Sequence, residues 1–332
     1  MNPSSSFQFP VDGTFVFEPS HAHATYLQQW NIALQKQVGA NWLVSATYLG
    51  NKTSHQWLGH ELNPAVYSPG ATTATTETRR VFNLANPASG KYFGSTIQID
   101  DSGNASYNGL LLVLQHRFSH NFSALANYTW SHCLDQGEAN QDITNMYQNP
   151  ASRRAEWANC ASDRRQLFNL SAVVQSPRYS STWVQRIVGN WQASSIFTAA
   201  TGAPLNVTDG TDVSLTGVGS DRPNVVGDSH PSNPAILQWF NTSAFQKQAA
   251  GTYGNAGRNI VTGPGSWNLD AALWRTFPIR ENLKLDLRWE AFNVLNHARF
   301  GNPNTVLSNG TFGQITTALD PRIMQVAMKV TF

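Results

Sequence analysis

A strict alternation of apolar and charged residues over residues 282–292, NLKLDLRWEAF, constrains the fold more than any other feature of the chain. The apolar positions are Leu283, Leu285, Leu287, Trp289 and Ala291, and the charged positions between them are Lys284, Asp286, Arg288 and Glu290. A period of two residues is typical of a β-strand with one apolar face and one polar face. A charge facing lipid at mid-bilayer costs about 2–4 kcal/mol for Lys or Arg, whereas a charge facing a polar lumen costs little. The four charged residues are therefore expected to face a lumen.

The C-terminus shows the same period. In MQVAMKVTF, residues 324–332, every second residue back from Phe332 is apolar, and Val330 and Met328 follow it on that face. Chain ends usually fray unless tertiary structure holds them. We therefore expect the C-terminal segment to pair into a sheet.

The sequence predicts nine strands in all, four of which, 42–49, 107–118, 166–174 and 190–200, carry apolar residues on both faces and give a weaker signal. The nine span 25–37, 42–49, 107–118, 121–131, 166–174, 190–200, 267–277, 282–292 and 322–332. In the seventh strand, Trp274 falls on the face that is otherwise polar.

Short and long connections alternate strictly between these strands. The short ones are 38–41, 119–121, a segment beginning at Pro177, and 278–281, and the long ones are about 50–105, 132–165, 201–266 and 293–321. Compact soluble domains rarely contain several long irregular loops. Outer-membrane β-barrels combine short periplasmic turns with long extracellular loops. The sequence thus predicts an all-β, antiparallel portion of an outer-membrane β-barrel.

The composition agrees with a strand-built membrane protein. Charged residues make up 13% of the chain, about half of the usual share of roughly 25%. The longest apolar run has five residues, 110–114, and a membrane helix needs about 20. Aromatic residues near strand ends could form membrane girdles, or could simply favour strands. They are Trp30, Trp42, Tyr48, Tyr128, Trp130, Trp191 and Trp267. The net charge is +2 without a basic run, so nothing points to a nucleic-acid partner.

Residues 288–332, RWEAFNVLNHARFGNPNTVLSNGTFGQITTALDPRIMQVAMKVTF, closely resemble the C-terminal end of TonB-dependent receptors. The resemblance is strongest to Oar-like receptors of Acidobacteria that carry a carboxypeptidase-regulatory-like domain. The blocks at 48–55, 107–135, 163–174 and 222–228, YLGNKTSH, YNGLLLVLQHRFSHNFSALANYTWSHCLD, DRRQLFNLSAVV and RPNVVGD, agree with it.

The resemblance implies a 22-stranded barrel, a plug inside it, a TonB box and uptake of a small ligand whose identity the loops do not reveal. It implies that Phe332, Val330 and Met328 form the signal read by the barrel-assembly machinery. Lys284, Asp286, Arg288 and Glu290 would then contact the plug. The chain shows no signal peptide, plug or TonB box, and nine strands is an odd number. We therefore expect residues 25–332 to be the C-terminal part of a longer receptor barrel, and residues 1–24 to be a loop or leader from a preceding strand.

Two other classes of protein stay open at this point. One is a soluble all-β binding module, such as a glycan-binding sandwich, which would bury the apolar faces between two sheets. The other is a small porin-like barrel, which would require an even number of strands.

Candidate chemical sites are few. Cys133 and Cys160, the two cysteines, fall in one predicted external loop and could form a disulfide in an oxidising compartment, or stay as free thiols. His21 and His23 alternate on a strand-like spacing, but two ligands do not complete a metal site. The run Asp163-Arg164-Arg165 is more typical of a salt-bridge network than of an active site. Nucleophile-elbow and phosphate-binding motifs are absent from the sequence, so we predict neither an enzyme nor a cofactor.

Overall fold

Nine long strands form the body of the protein. The computed structural model describes residues 11–137, 147–219, 221–231, 233–280 and 283–332. The strands are β1 (Tyr26–Val38), β2 (Trp42–Glu61), β3 (Phe93–Ser119), β4 (Phe122–Asp135), β5 (Gln166–Gln175), β6 (Trp191–Ala200), β7 (Ser266–Arg280), β8 (Leu283–Phe292) and β9 (Ile323–Thr331).

These strands follow one another in a single antiparallel sheet. Each is hydrogen-bonded to the next one along the chain, from β1 to β9. Within the described residues, β1 and β9 are the two ends of this order. The predicted antiparallel all-β fold of nine strands is confirmed.

β2 and β3 are much longer than the sequence predicts. The prediction gave 42–49 and 107–118, but pairing continues to Glu61 on β2 and back to Ile97 on β3. The prediction of a loop over 50–105 is therefore wrong, and the connection spans 62–92. The extensions are rich in small and polar residues, such as Asn51-Lys52-Thr53-Ser54, and lack the apolar period on which the prediction depended.

The short connections lie at one end of the sheet. His120 and Asn121 join β3 to β4 with φ of 49° and 68°, the paired positive values that a two-residue hairpin turn requires. Gly39, with φ of 62°, turns the chain between β1 and β2. Helix α3 (Thr182–Val188), which the sequence does not predict, lies between β5 and β6. Residues 281–282, between β7 and β8, are outside the described residues.

The remaining elements are short and lie in or before the long connections. Helices α1 (Val81–Ala85) and α2 (Pro87–Gly90) follow β2, and α3 is the third helix along the chain. Two-residue strands are Ala158–Asn159, which pairs with β4, Pro204–Leu205 with Val261–Thr262, and Asn224–Val225 with Phe245–Gln246. Single 3-10 turns span Thr73–Thr75, Glu77–Arg79, Arg153–Glu156 and Thr242–Ala244. Among the described residues, no helix has the length and apolarity needed to cross a membrane.

A short strand also precedes β1. Gly13–Phe17 pairs in parallel with the start of β3, from Phe93 to Gln98. Residues 18–25 then cross to the start of β1, on the other side of β2. The segment that the sequence assigns to a loop or leader, 1–24, thus contains one strand within its described part.

The buried apolar core lies in the long connections and not between sheets. Val207, Phe240, Ala244, Phe245 and Val261 form it, and Phe312 from the connection after β8 packs against it. Phe240, Phe245 and Phe312 meet edge to face, with ring centroids 5.1–5.9 Å apart. Connections 201–265 and 293–322 are therefore packed together as an ordered body at the end opposite the short turns.

Candidate functional site

The strand register places polar residues from all nine strands on one face of the sheet. Residues directly opposite each other in an antiparallel pair lie on the same face. Asp286 on β8 is opposite Thr276 on β7 and Lys329 on β9, and Thr276 Oγ1 donates to Asp286 Oδ1 over 2.6 Å. Followed strand by strand, this face carries Gln35, Ser45, Gln115, Asn127, Asn169, Gln192, Thr276, Asp286 and Lys329.

The four charged residues of β8 lie on this polar face. Arg288 forms an ion pair with Glu290, and Gln325 on β9 donates to the Glu290 carboxylate. Trp274 lies on the same face, as its position in the sequence suggests, because it is opposite Arg288. The Arg288 guanidinium lies 5.6 Å from the Trp274 ring centre, a cation–π contact that places the indole among charges.

The opposite face is mainly apolar and exposed, with Lys36 and Arg275 as charged residues near the short turns. Ile32, Leu34 and Val326 on this face are 64%, 72% and 76% exposed. Exposing apolar side chains of this size to water costs free energy. A soluble sandwich would bury these side chains against a second sheet. The structure thus does not favour the soluble glycan-binding module.

Aromatic side chains on the apolar face form two rows across the strands. The row near the long connections contains Trp30, Tyr48, Trp130, Tyr128, Phe168 and Trp267, of which Tyr128 and Phe168 are directly opposite each other. The row near the short turns contains Trp42, Phe122, Trp191 and Phe277. Trp42 and Tyr48 are six residues apart on β2, which is about 20 Å at roughly 3.3 Å per residue. Because barrel strands tilt by roughly 35–45°, this length corresponds to about 15 Å along the membrane normal, so both rows fit within an apolar band about 25 Å tall.

The C-terminal residues lie at the end of the apolar face. Met328 and Val330 are opposite Leu287 and Leu285 on β8, and they are 69% and 48% exposed. Phe332 follows β9 and is 97% exposed. The structure thus presents the three residues of the expected assembly signal on one accessible edge strand.

Buried ion pairs connect the long connections. Arg222 in connection 201–265 forms a bidentate pair with Glu156 in connection 136–165, and its Nε donates to the Ala256 carbonyl over 2.9 Å. Arg258 pairs with Asp135, the last residue of β4. These contacts tie the two connections to each other and to the end of the sheet.

A disulfide lies in the same region. The structure bonds Cys133, on β4, to Cys160, with their Cα atoms 5.4 Å apart. Asp163 supports this loop, because its Oδ1 accepts from the Cys133 amide and its Oδ2 pairs with Arg165 Nε at 3.1 Å. The Asp163-Arg164-Arg165 run thus supplies a salt bridge.

Two buried carboxyl groups lie in the connection before β7. Burial raises the pKa of both Asp209 and Asp221, and the hydrogen bond that the Ser214 amide donates to Asp221 only partly offsets this. Burial and the nearby Asp100 carboxylate also raise the pKa of Tyr147 to about 12. The side chains of Asp209, Asp221 and Tyr147 thus lie in the interior of the body that the long connections form.

The structure also brings together residues that sequence reasoning did not connect. His23 lies beside His55 on β2 and Asp101 on β3, whereas His21 is not in this group. The members are 32 and 46 residues apart along the chain, so the sequence does not reveal the group. The pairing of β2 with β3 brings His55 close to Asp101, and segment 18–25 adds His23.

Comparison with known proteins agrees with this architecture. The family described as "Outer membrane beta barrel domain" matches residues 1–325 of the chain. The outer membrane transporter YddB from Escherichia coli is similar in structure, with a TM-score of 0.53 at 10% identity over 97% of this chain and 34% of that chain. The pyoverdine outer membrane receptor FpvA from Pseudomonas aeruginosa PAO1 gives a TM-score of 0.43 at 9% identity over 92% of this chain and 29% of that chain. The chain thus spans about a third of the length of these solved structures. No curated protein matches it.

Proposed function

Because the chain belongs to the outer membrane β-barrel domain family, we propose that it forms part of the barrel of a TonB-dependent receptor that takes up a small ligand. Its location is the outer membrane. The sheet register carries the proposal, because one face has polar residues from all nine strands and the other face is mainly apolar and exposed. The resemblance of residues 288–332 to Oar-like receptors supports the finer assignment.

The two faces give the proposed orientation. The apolar face, with its two aromatic rows, contacts lipid, and the polar face with Lys284, Asp286, Arg288 and Glu290 lines the lumen. Outer-membrane barrels place short turns in the periplasm and long loops outside. Connections 62–92, 136–165, 201–265 and 293–322 then form the external mouth, where the ligand arrives.

The remaining partners follow from this arrangement. A plug and further strands would complete the receptor, with residues 25–332 as the C-terminal part of the barrel, and TonB would act through the plug. Phe332, Val330 and Met328 would be read by the barrel-assembly machinery. Uptake belongs to the complete receptor, and its proposed activity is transport without catalysis.

Crosslinking from two neighbouring positions tests the orientation. A photo-reactive residue at Leu287 should label lipid, and the same residue at Arg288 should label protein. Lipid labelling from Arg288 and not from Leu287 would invert the assigned faces.

A genetic experiment tests uptake. A strain without this gene should lose uptake of at least one nutrient from a defined panel, and a strain without TonB should show the same loss. A nutrient whose uptake depends on this gene but not on TonB would contradict the proposed energy source.

A further inference from the structure

We propose that His23, His55 and Asp101 bind a divalent transition ion of the Zn²⁺ or Cu²⁺ class. The three residues come from the crossing segment 18–25, from β2 and from β3, near the long connections. Each offers one ligand atom, and these atoms all lie within 4.8 Å of one another. The inference concerns ion binding and does not depend on the proposed uptake.

The distances suit a small metal ion. His23 Nδ1 lies 2.6 Å from Asp101 Oδ2, and His55 Nδ1 lies 4.0 Å from the same oxygen. Tetrahedral ligands at about 2.0–2.1 Å from Zn²⁺ are separated from one another by about 3.3 Å. The shorter distance is a hydrogen bond, and His55 Nδ1 also lies 3.2 Å from the Asp101 carbonyl oxygen. A bound ion would replace both hydrogen bonds and draw the three side chains to this common separation.

The backbone around both histidines is already held in position. The His23 amide donates to Asp101 Oδ2 over 2.5 Å, and Trp57 Nε1 donates to the His23 carbonyl over 3.0 Å. Thr25 Oγ1 donates to the His55 carbonyl over 2.9 Å. Metal binding would therefore need little ordering of the chain, which favours affinity.

An irregularity in β2 directs His55 toward the group. His55 has φ of 59°, in the left-handed region, and the register with β3 shifts between Ser54 and Gln56. A bulge of this kind changes the direction of a side chain, and strained backbone is common at binding sites. A regularly paired strand would have no residue with a left-handed φ at this position. The bulge at His55 is therefore a second observation, separate from the ligand distances.

The donor set selects the class of ion. Two imidazole nitrogens and one carboxylate oxygen suit Zn²⁺, Cu²⁺ and Ni²⁺, whereas Ca²⁺ and Mg²⁺ prefer oxygen ligands alone. The His23 and His55 side chains are 70% and 43% exposed, so an ion can enter from solvent and keep a water ligand. The neighbouring Asp100 pairs with Arg153 at 3.1 Å and is not needed for the site.

Direct titration tests the site. The chain purified from outer membranes in detergent is titrated with Zn²⁺ by calorimetry and with one equivalent of Cu²⁺ by electron paramagnetic resonance. We expect one saturable site and a Cu²⁺ signal split by two imidazole nitrogens. His55→Ala should weaken Zn²⁺ binding at least about 10-fold and leave splitting from one nitrogen.

Matched variants distinguish metal binding at this site from metal binding by other exposed histidines. His230 lies 2.8 Å from Asp228 in an exposed pair, and the group of three ligands does not include it, so His230→Ala should leave binding unchanged. Asp101→Asn tests the carboxylate and should weaken Zn²⁺ binding as His55→Ala does. Binding that is unchanged in both His55→Ala and Asp101→Asn, or no saturable binding in the native chain, would overturn the proposal.

Discussion

Arg222 and Glu156 form a fully buried bidentate ion pair between two connections that lie 66 residues apart in the chain. The Nη1–Oε2 and Nη2–Oε1 distances are 2.7 Å and 2.8 Å, and each side chain is 4% exposed. The pair joins connection 136–165 to connection 201–265 above the end of β4. The proposed external mouth is thus held by specific polar contacts and is not a set of independent loops.

Glu156→Gln should loosen this body without unfolding the sheet. Removing one partner leaves a buried guanidinium without a counter-charge, which typically costs about 3–5 kcal/mol. We expect faster tryptic cleavage after Arg222 and Lys247, measured on the chain in detergent. The control is Asp228→Asn, which alters an exposed pair. Equal cleavage rates in Glu156→Gln and native chains would show that the ion pair does not hold the connections.

The Cys133–Cys160 bond should leave no titratable thiol in the denatured, unreduced chain. In the chain-entropy model, closing a loop of 27 residues stabilises the folded state by about 3–4 kcal/mol. Reduction should therefore speed proteolysis within connection 136–165, and a Cys133→Ser, Cys160→Ser double variant should match the reduced protein. Detection of two thiols before reduction would reject the bond.

Leu287→Arg should reduce the folded fraction in lipid, and Arg288→Leu should not. The first change places a further charge on the apolar face, opposite Arg275 on β7, and a charge facing lipid costs about 2–4 kcal/mol at the bilayer midplane and less toward the interfaces. The second removes the ion pair with Glu290 and the cation–π contact with Trp274 on the polar face, where no charge is placed in lipid. The heat-modifiable band on semi-native gels measures the folded fraction. The reverse order of effects would mean that the lumen and lipid faces are exchanged.

Asp221→Asn should stabilise the ordered connections at neutral pH. Burial raises the pKa of Asp221 above the value of 3.8 expected for the unfolded chain, so the folded state binds the proton more tightly. Stability therefore falls as pH rises through the window between these two pKa values, and the penalty is complete above the folded one. Asn at this position cannot ionise, and its Oδ1 can still accept from the Ser214 amide.

Proteolysis of connection 201–265 at two pH values measures this effect. Asp221→Asn should resist cleavage better than the native chain at pH 7, and the advantage should disappear below about pH 4, where Asp is protonated. The exposed Asp320→Asn is the control. An equal advantage at both pH values would exclude ionisation of Asp221 as the cause.

The sequence predicts the strands well where one face is apolar and the other polar. The period-2 pattern of residues 282–292 predicts β8 to within one residue at its start, because a slip of one position would move Lys284 and Arg288 into lipid. The outer parts of β2 and β3 give no such signal. Their pairing depends on backbone hydrogen bonds between Asn51-Lys52-Thr53-Ser54 and Asn104-Ala105-Ser106-Tyr107, which any side chain allows.

The contacts of the candidate sites are less predictable, for a related reason. Arg222 and Glu156, or His23 and Asp101, are brought together by tertiary packing over 66 and 78 residues. The residues around each of them show no repeating pattern from which the contact could be predicted. Trp274 illustrates the same limit, because its place on the polar face becomes understandable only with Arg288 opposite it.

Deleting Phe332 should lower the amount of folded protein in the outer membrane. Its side chain is 97% exposed beside Met328 and Val330, on a strand at the end of the sheet, where a partner can reach all three. If the assembly machinery reads these residues, loss of the terminal aromatic slows insertion, and degradation removes the chain that waits in the periplasm. The heat-modifiable band in isolated outer membranes measures the effect. Phe332→Tyr, which keeps the aromatic ring, should restore the band, whereas equal band intensity in the deletion and the native protein would contradict the assigned role.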